Sequence, residues 1–242
     1  MTRLEAIGEE IWTCAVPFSI MGFRLGGRMT VVRLGSGGLA LHSPVKIDES
    51  LRAEVDALGP VEVLIAPSLF HHLFVQSWSD AYPDARRWIP AGLETKRPEL
   101  AGSETLDTAG PEVLDGALRR WRVGGVPSMQ EDVFFHAASG TLILTDLLFY
   151  LPEARGLTGL YARMAGLRDG PGCSPLYRSM IRDKAAFRAS LQPLRALDVQ
   201  ALSMCHHRVV HEDARAKLRA ALDALGVPAV EGASPAEGGG PR

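Results

Sequence analysis

Cysteine is scarce in this sequence of 242 residues. Only Cys14, Cys173 and Cys205 are present, and no two of them have CxxC spacing. An odd number of widely spaced thiols argues against a disulfide framework, which is typical of secreted domains. We therefore expect a protein of the reducing cytoplasm.

Long apolar runs and an excess of basic residues are also missing. No apolar stretch approaches the roughly 20 residues that cross a bilayer, and the first residues lack the charged and apolar regions of a signal peptide. The formal net charge is −2, with 26 Lys and Arg against 28 Asp and Glu. Because a broad nucleic-acid surface normally carries a basic excess, we expect no nucleic-acid partner and no membrane partner.

The sequence does contain short β-rich segments that alternate with helical spacing. Turn glycines at 35–38 lie between the β-formers of 29–34 and 39–42, which predicts a hairpin. Residues 48–58 have helical spacing that ends at Gly59-Pro60. This order of elements predicts a layered α/β fold. The other predicted strands cover 11–16, 61–66, 85–89, 118–123, 132–136, 141–145 and 199–204, and the other predicted helices run from the histidine turn to Ser79, over 184–197 and over 213–225.

Histidines and one aspartate follow three of these strands. His71 and His72 come after the strand 61–66, Cys205-His206-His207 after 199–204, and Asp146 after 141–145. Buried imidazoles each need a hydrogen-bond partner, so neighbouring histidines are an unfavourable choice for a core. Strand ends that carry His, His and Asp are typical of a metal site or a catalytic site.

In this order of elements the chain resembles the metallo-β-lactamase-like superfamily and, more closely, the DUF4336 family. The resemblance spans about residues 8 to 225 and implies an αββα four-layer sandwich of two mixed β-sheets flanked by helices. It predicts a single domain over 1–228, followed by a flexible tail over 229–242. The stretches that carry the resemblance are 29–34 with 41–44, 66–72, Trp78 with 81–83, 133–136 and 141–149.

The superfamily motif is His-x-His-x-Asp-His, with a later His, an Asp after a strand and a last His. In this chain His72 matches the final His of that motif and His71 takes the place of its Asp. Asp146 matches the later Asp, and His206 matches the last His. The positions of three other ligands are occupied by residues that do not bind metals: Pro67, Leu69 and the pair Val126-Pro127.

The resemblance therefore implies a mononuclear site rather than a pair of metals. Its predicted ligands are His71, His72, Asp146 and His206, which suit one divalent ion, either zinc or iron. The implied activity is hydrolysis of an ester, thioester, amide or lactone in a small-molecule substrate. Asp146 is the predicted catalytic residue, sharing proton handling with a metal-activated water.

Other interpretations of these residues and of the whole protein remain. The imidazoles of His71, His72 and His206 could hydrogen-bond the backbone, and Asp146 could cap a turn. Cys205 fits a buried structural thiol better than a soft ligand, and His207 fits a neighbour that points away. The chain could be a degenerate ligand-binding or interaction module of the same fold, or a non-haem iron redox protein.

Overall fold

The structure is a computed structural model that describes residues 4–106, 116–206 and 208–229, together with the backbone of residues 112–113. His207 and all but the first residue of the predicted tail 229–242 lie outside these ranges.

Within the described residues the chain forms fourteen strands and seven α-helices. The strands are β1 (Glu5–Gly8), β2 (Ile11–Val16), β3 (Ser19–Ile20), β4 (Phe23–Arg24), β5 (Gly27–Arg33), β6 (Leu39–His42), β7 (Val61–Ile65), β8 (Arg86–Ile89), β9 (Glu104–Thr105), β10 (Glu112–Val113), β11 (Leu118–Arg122), β12 (Asp132–His136), β13 (Thr141–Leu144) and β14 (Ala201–Met204). The helices are α1 (Glu49–Leu58), α2 (Val75–Ala81), α3 (Leu93–Lys96), α4 (Gly156–Met164), α5 (Pro175–Met180), α6 (Lys184–Leu191) and α7 (Ala214–Ala224), with 3-10 turns at Pro98–Leu100 and Gln192–Ala196.

Both large sheets are mixed. The first has seven strands in the order β1-β2-β5-β6-β7-β8-β9, antiparallel as far as β6 and parallel from β6 to β9. The second has five strands in the order β10-β11-β12-β13-β14, and only β13 and β14 are parallel. Strands β3 and β4 form a separate small hairpin.

Three apolar clusters separate the layers. Ile11, Val32 and Ile65 of the first sheet pack with Phe134 and Ile143 of the second, which forms the core between the sheets. The outer face of the first sheet packs against α1 and α2, and the outer face of the second packs against α5, α6 and α7. The result is the predicted four-layer αββα arrangement.

Local sequence explains where two predicted helices begin and end. The predicted helix over 48–58 begins at Glu49, because the Asp48 side chain accepts a hydrogen bond from Leu51 N and caps α1. The predicted helix over 184–197 instead ends at Leu191 and continues as a 3-10 turn that contains Pro193. Proline has no N–H and cannot continue an α-helical hydrogen-bond ladder.

The strand pairing brings the chemically active residues to one edge of the sandwich. Strands β6 and β7 run parallel, as do β13 and β14, so within each pair the loops that follow the strands leave the sheet on the same side. The hydroxyls of Thr30 on β5 and Ser203 on β14 lie 3.0 Å apart and connect the two sheets. The loop after β7 is also tied to the second sheet, because Asp132 N donates to Pro67 O at 2.8 Å.

Candidate metal centre

Three of the four predicted ligands converge on one point. His71 Nε2 lies 3.3 Å from Asp146 Oδ2, and His206 Nε2 lies 3.3 Å from Asp146 Oδ1. One potential ligand atom from each of the three side chains lies within 4.8 Å of the other two. The side chains of His71 and Asp146 are 14% and 16% exposed, so the group is accessible to solvent from one side. We call this group the His–Asp–His cluster.

The turn after β7 directs His71 toward the cluster. The Ser68 hydroxyl accepts hydrogen bonds from Phe70 N and His71 N at 3.2 and 3.1 Å, and these bonds shape the turn. The other ring nitrogen, His71 Nδ1, lies 2.9 Å from Ser43 Oγ. Ser43 has a φ of +51°, a left-handed conformation that is uncommon for residues other than glycine. Such strain is often found at functional sites.

The orientation of His206 also fixes its tautomer. His206 Nδ1 lies 2.8 Å from the carbonyl oxygen of Gly26. A carbonyl can only accept, so Nδ1 must carry the proton, and in a neutral ring Nε2 then has a free lone pair. The ring of Phe149 stacks on the same imidazole, with centroids 5.0 Å apart and an interplanar angle of 8°. Nε2 therefore faces the Asp146 carboxylate in one defined orientation.

A buried glutamate holds the loop that carries Asp146. Glu131 is fully buried, and its Oε1 accepts three hydrogen bonds from the residues on either side of Asp146. The donors are Thr145 N at 2.9 Å, Thr145 Oγ1 at 2.7 Å and Leu147 N at 3.2 Å. Glu131 is therefore a positioning residue for Asp146.

Burial and charge act in opposite directions on the ionisation of the cluster. Burial alone would raise the pKa of Asp146, but the facing imidazoles of His71 and His206 hold that pKa well below its usual range. Burial alone would lower the pKa of His71, but Asp146 and Cys205 raise it well above the ordinary value. Burial, followed by the charge of Asp146, raises the pKa of Glu131 to about 7. The cluster thus stabilises an anionic carboxylate and a positive charge next to it.

The geometry fits a metal ion. Ligands at about 2.0–2.1 Å from a tetrahedral ion are separated from one another by about 3.3 Å. Each histidine Nε2 lies 3.3 Å from an Asp146 oxygen, His71 from Oδ2 and His206 from Oδ1, and one potential ligand atom from each side chain lies within 4.8 Å of the other two. The lone pair of a neutral His206 also faces a carboxylate oxygen, and two acceptors repel each other unless a proton or another cation lies between them. Two imidazoles and one carboxylate are a donor set that zinc and iron both accept.

His72 does not join the cluster, so the structure brings together three of the four predicted ligands. Arg97 Nη1 lies 2.9 Å from His72 Nδ1. A guanidinium only donates, so Nδ1 must accept, and the proton of the neutral ring is on Nε2. Burial, followed by the charges of Arg97 and Lys96, lowers the pKa of His72. Neither ring nitrogen therefore presents a free lone pair to a metal. His207, which is predicted to point away, lies outside the described residues.

Three residues that orient the cluster are not evident from the sequence. They are Ser43, which lies in the stretch 41–44 that carries the family resemblance, and Gly26 and Glu131, which belong to no predicted motif. Glu131 had one available signal, since a Glu-Asp pair directly before an apolar strand is unusual. Ser43 and Gly26 had none, because their roles depend on contacts with His71 and His206 that are distant in sequence.

A cavity of about 270 Å³ opens beside the His–Asp–His cluster. His71, Asp146 and His206 line one part of it, together with Tyr177 of α5. Most of the remaining wall is apolar. The cavity supplies a space in which a small molecule can reach the cluster.

The comparisons with known proteins agree with this architecture. Residues 8–93 match a family described as "Domain of unknown function (DUF4336)". A metallo-beta-lactamase from Pontibacter korlensis superposes with a TM-score of 0.63 at 14% identity, over 93% of this chain and 99% of that one. A putative diflavin flavoprotein A 5 fragment from Nostoc sp. PCC 7120 gives a TM-score of 0.65 at 10% identity, over 93% and 96% of the two chains.

A third solved structure contains a longer chain. The metal-soaked Flv1 flavodiiron core from Synechocystis sp. PCC6803 superposes with a TM-score of 0.62 at 13% identity, over 93% of this chain but 61% of the other. A search of curated protein sequences found no match. At these identities the solved structures establish the fold alone. They confirm the predicted αββα sandwich, a fold that this chain shares with the metallo-beta-lactamase structure.

Proposed function

We propose that this protein is a metal-dependent hydrolase that acts at a mononuclear site formed by His71, Asp146 and His206. The observation that carries the proposal is the convergence of these three side chains, with two separations of 3.3 Å, at the edge of the sandwich. A bound divalent ion would polarise a carbonyl oxygen and lower the pKa of a water molecule toward ~7. The substrate class is a small molecule with an ester, thioester, amide or lactone group.

The protein's own residues orient and charge this site. The hydrogen bond from His206 Nδ1 to Gly26 O leaves Nε2 available as a ligand. When His71 Nε2 is a ligand, its Nδ1 carries the proton and donates to Ser43 Oγ. Asp146 remains anionic because its pKa is held low, so it can accept a hydrogen bond from an attacking water as well as bind the ion. The apolar side of the cavity limits the access of other water molecules.

Either zinc or iron fits the three donors. Catalytic zinc sites commonly have three protein ligands and an open position, and two histidines with one carboxylate also form the facial triad of non-haem iron(II). Iron with visible absorption would favour the redox alternative over hydrolysis.

We further propose a cytoplasmic location without nucleic-acid or membrane partners. In support, Cys14, Cys173 and Cys205 are free, buried thiols, and no helix in the described part of the chain is long and apolar enough to cross a bilayer.

Reconstitution of metal-free protein tests the proposed activity. The protein is loaded with zinc or iron(II) and assayed against small esters, thioesters, amides and lactones. We expect metal-dependent hydrolysis of at least one class, lost in Asp146→Asn and retained in His211→Ala, which changes an exposed histidine outside the cluster. Absence of metal-dependent hydrolysis across the whole panel contradicts the proposed activity.

One observation favours the alternative, a non-catalytic binding module of the same fold. The cluster can also be satisfied by protons, since an imidazolium at His71 or His206 would pair with Asp146 without any metal. The raised pKa of His71 is consistent with that state. Metal content distinguishes the two functions. A cluster that is held together by protons remains metal-free after incubation with zinc or iron, whereas the proposed hydrolase binds the ion.

A further inference from the structure

We propose that the cavity beside the His–Asp–His cluster binds an apolar acyl group of about nine heavy atoms. On the proposed function, which this inference extends, the substrate is then a neutral carboxylic ester with a medium-length alkyl chain. Hydrolysis would break the acyl C–O bond and form a C–O bond to the water oxygen. One proton of the water ends on the leaving alcohol, and the acid product releases the other.

The distribution of polar groups around the cavity supports an acyl ligand. The polar contacts that suit a reacting carbonyl lie at the cluster, on His71, Asp146 and His206. Arg28 also lines the cavity, but its Nη1 donates to Thr13 Oγ1 at 3.1 Å. The apolar wall comes from several separate segments of the chain. Its members include Phe18, Leu25, Phe74, Met129, Phe149 and Met180.

Away from the cluster and the few other polar groups of the lining, this apolar wall disfavours charged and strongly polar ligands. A charged group that entered the cavity would lose its hydration without finding partners on aromatic, leucine or methionine side chains. An alkyl chain has no polar group whose hydration would be lost in that environment, and its burial is favoured by the hydrophobic effect. A pocket with polar groups at one place and an apolar wall elsewhere is the usual design for orienting a small amphipathic ligand.

The volume limits the length of the chain. A water molecule occupies about 30 Å³ in the liquid, so a cavity of about 270 Å³ corresponds to about nine water volumes. An octanoyl group, with eight carbons and one carbonyl oxygen, has a matching number of heavy atoms. Longer chains would have to extend through the mouth, where Phe70, Leu73 and Leu176 are more than half exposed.

Binding of linear 1-alkanols to metal-free protein tests the cavity independently of catalysis. Calorimetric titration with 1-butanol, 1-hexanol and 1-octanol should show an affinity that rises about fourfold for each buried methylene, and 1-dodecanol should gain little beyond 1-octanol. Leu25→Trp adds volume at a half-buried position in the wall and should abolish the dependence on length. Leu160→Trp is the matched control, because Leu160 is 50% exposed and lies outside the cavity wall.

A second variant and a second assay keep the two proposals separate. Leu25→Ala enlarges the cavity and should shift the length limit upward, which also covers the case in which Leu25→Trp does not fold. With metal-loaded protein, p-nitrophenyl octanoate should be hydrolysed with a higher kcat/KM than p-nitrophenyl butanoate. Length-dependent alkanol binding without any hydrolysis supports the cavity assignment and contradicts the hydrolase. Hydrolysis without a chain-length preference, or alkanol binding that the Leu25 variants leave unchanged, overturns the acyl-site proposal.

Discussion

Replacement of Glu131 by alanine should destabilise the protein through the loop that carries Asp146. The substitution removes one carboxylate oxygen that accepts three hydrogen bonds, from Thr145 N, Thr145 Oγ1 and Leu147 N. A buried donor without a partner costs about 1–3 kcal/mol. Three such donors cost at least about 3 kcal/mol. We expect a loss near this lower limit, because water that enters the space left by the side chain can accept some of the three hydrogen bonds. For a chain of this size such a loss lowers the Tm by roughly 6–12 °C.

Glu131→Gln is the matched comparison for this prediction. Glutamine keeps one oxygen that can accept the same three hydrogen bonds. At pH ~4.5, where the buried Glu131 is still neutral, the free energy of unfolding of this variant should therefore stay within about 1 kcal/mol of wild type. Urea denaturation followed by circular dichroism measures both variants, and the m-value should not change. Glu212→Ala, at an exposed position, controls for the loss of a carboxylate. If Glu131→Ala unfolds at the same urea concentration as Glu131→Gln, Glu131 does not hold the Asp146 loop as argued.

Three further predictions follow from the environment of the cluster. Burial, followed by the charge of Asp146, raises the pKa of Glu131 from its ordinary value of 4.5 to about 7. Its contribution to stability is therefore fully present below pH ~4.5 and is lost as the pH rises through ~7. Metal-free wild type should lose up to about 3 kcal/mol over this range relative to Glu131→Gln, in urea titrations at several pH values. Equal pH profiles for the two proteins would refute this assignment. Ser43→Ala should weaken metal binding about 10- to 100-fold, because it removes the hydrogen-bond partner of His71 Nδ1. Competition with a chelator measures the affinity, and an unchanged value would show that Ser43 does not orient His71. Asp132→Asn should cost about 1–3 kcal/mol of unfolding free energy. The buried Asp132 carboxylate pairs with Arg120 and Arg122 at 2.9 Å, and an amide leaves both guanidinium groups with a weaker partner. An unchanged free energy of unfolding would contradict this role of Asp132.

Sequence patterns predicted a layered α/β fold, and the family resemblance supplied the αββα sandwich. The strand 61–66, the hairpin strands 29–34 and 39–42, and the helix capped by Asp48 all appear in the structure within one or two residues of their predicted bounds. Hydrophobic spacing and turn residues are local signals, and the layers follow from them once the family resemblance supplies the order of the strands. The short strands β9 and β10 and the helix α5 were not predicted, because two to six residues are too few to show a period.

The site was only partly predictable, because ligand geometry depends on contacts between distant segments. His71, Asp146 and His206 follow predicted strands, so their convergence could be expected from the superfamily pattern. The exclusion of His72 could not, since it depends on Arg97, which follows α3 and lies 25 positions further along the chain. Position in a motif identifies a candidate ligand, but the hydrogen bond on its other nitrogen decides whether a lone pair is free.

Metal content is the most direct test of the central claim that His71, Asp146 and His206 form one metal site. Elemental analysis after incubation with zinc or iron(II) and removal of unbound ion should give about one ion per chain for wild type, as expected for a single mononuclear site. The content should remain near that value in His72→Ala and in the surface control His211→Ala, and should fall toward zero in His206→Ala and Asp146→Asn, with circular dichroism confirming that each variant is folded. A wild-type protein without metal after this treatment, or a full complement of metal in His206→Ala, would contradict the account.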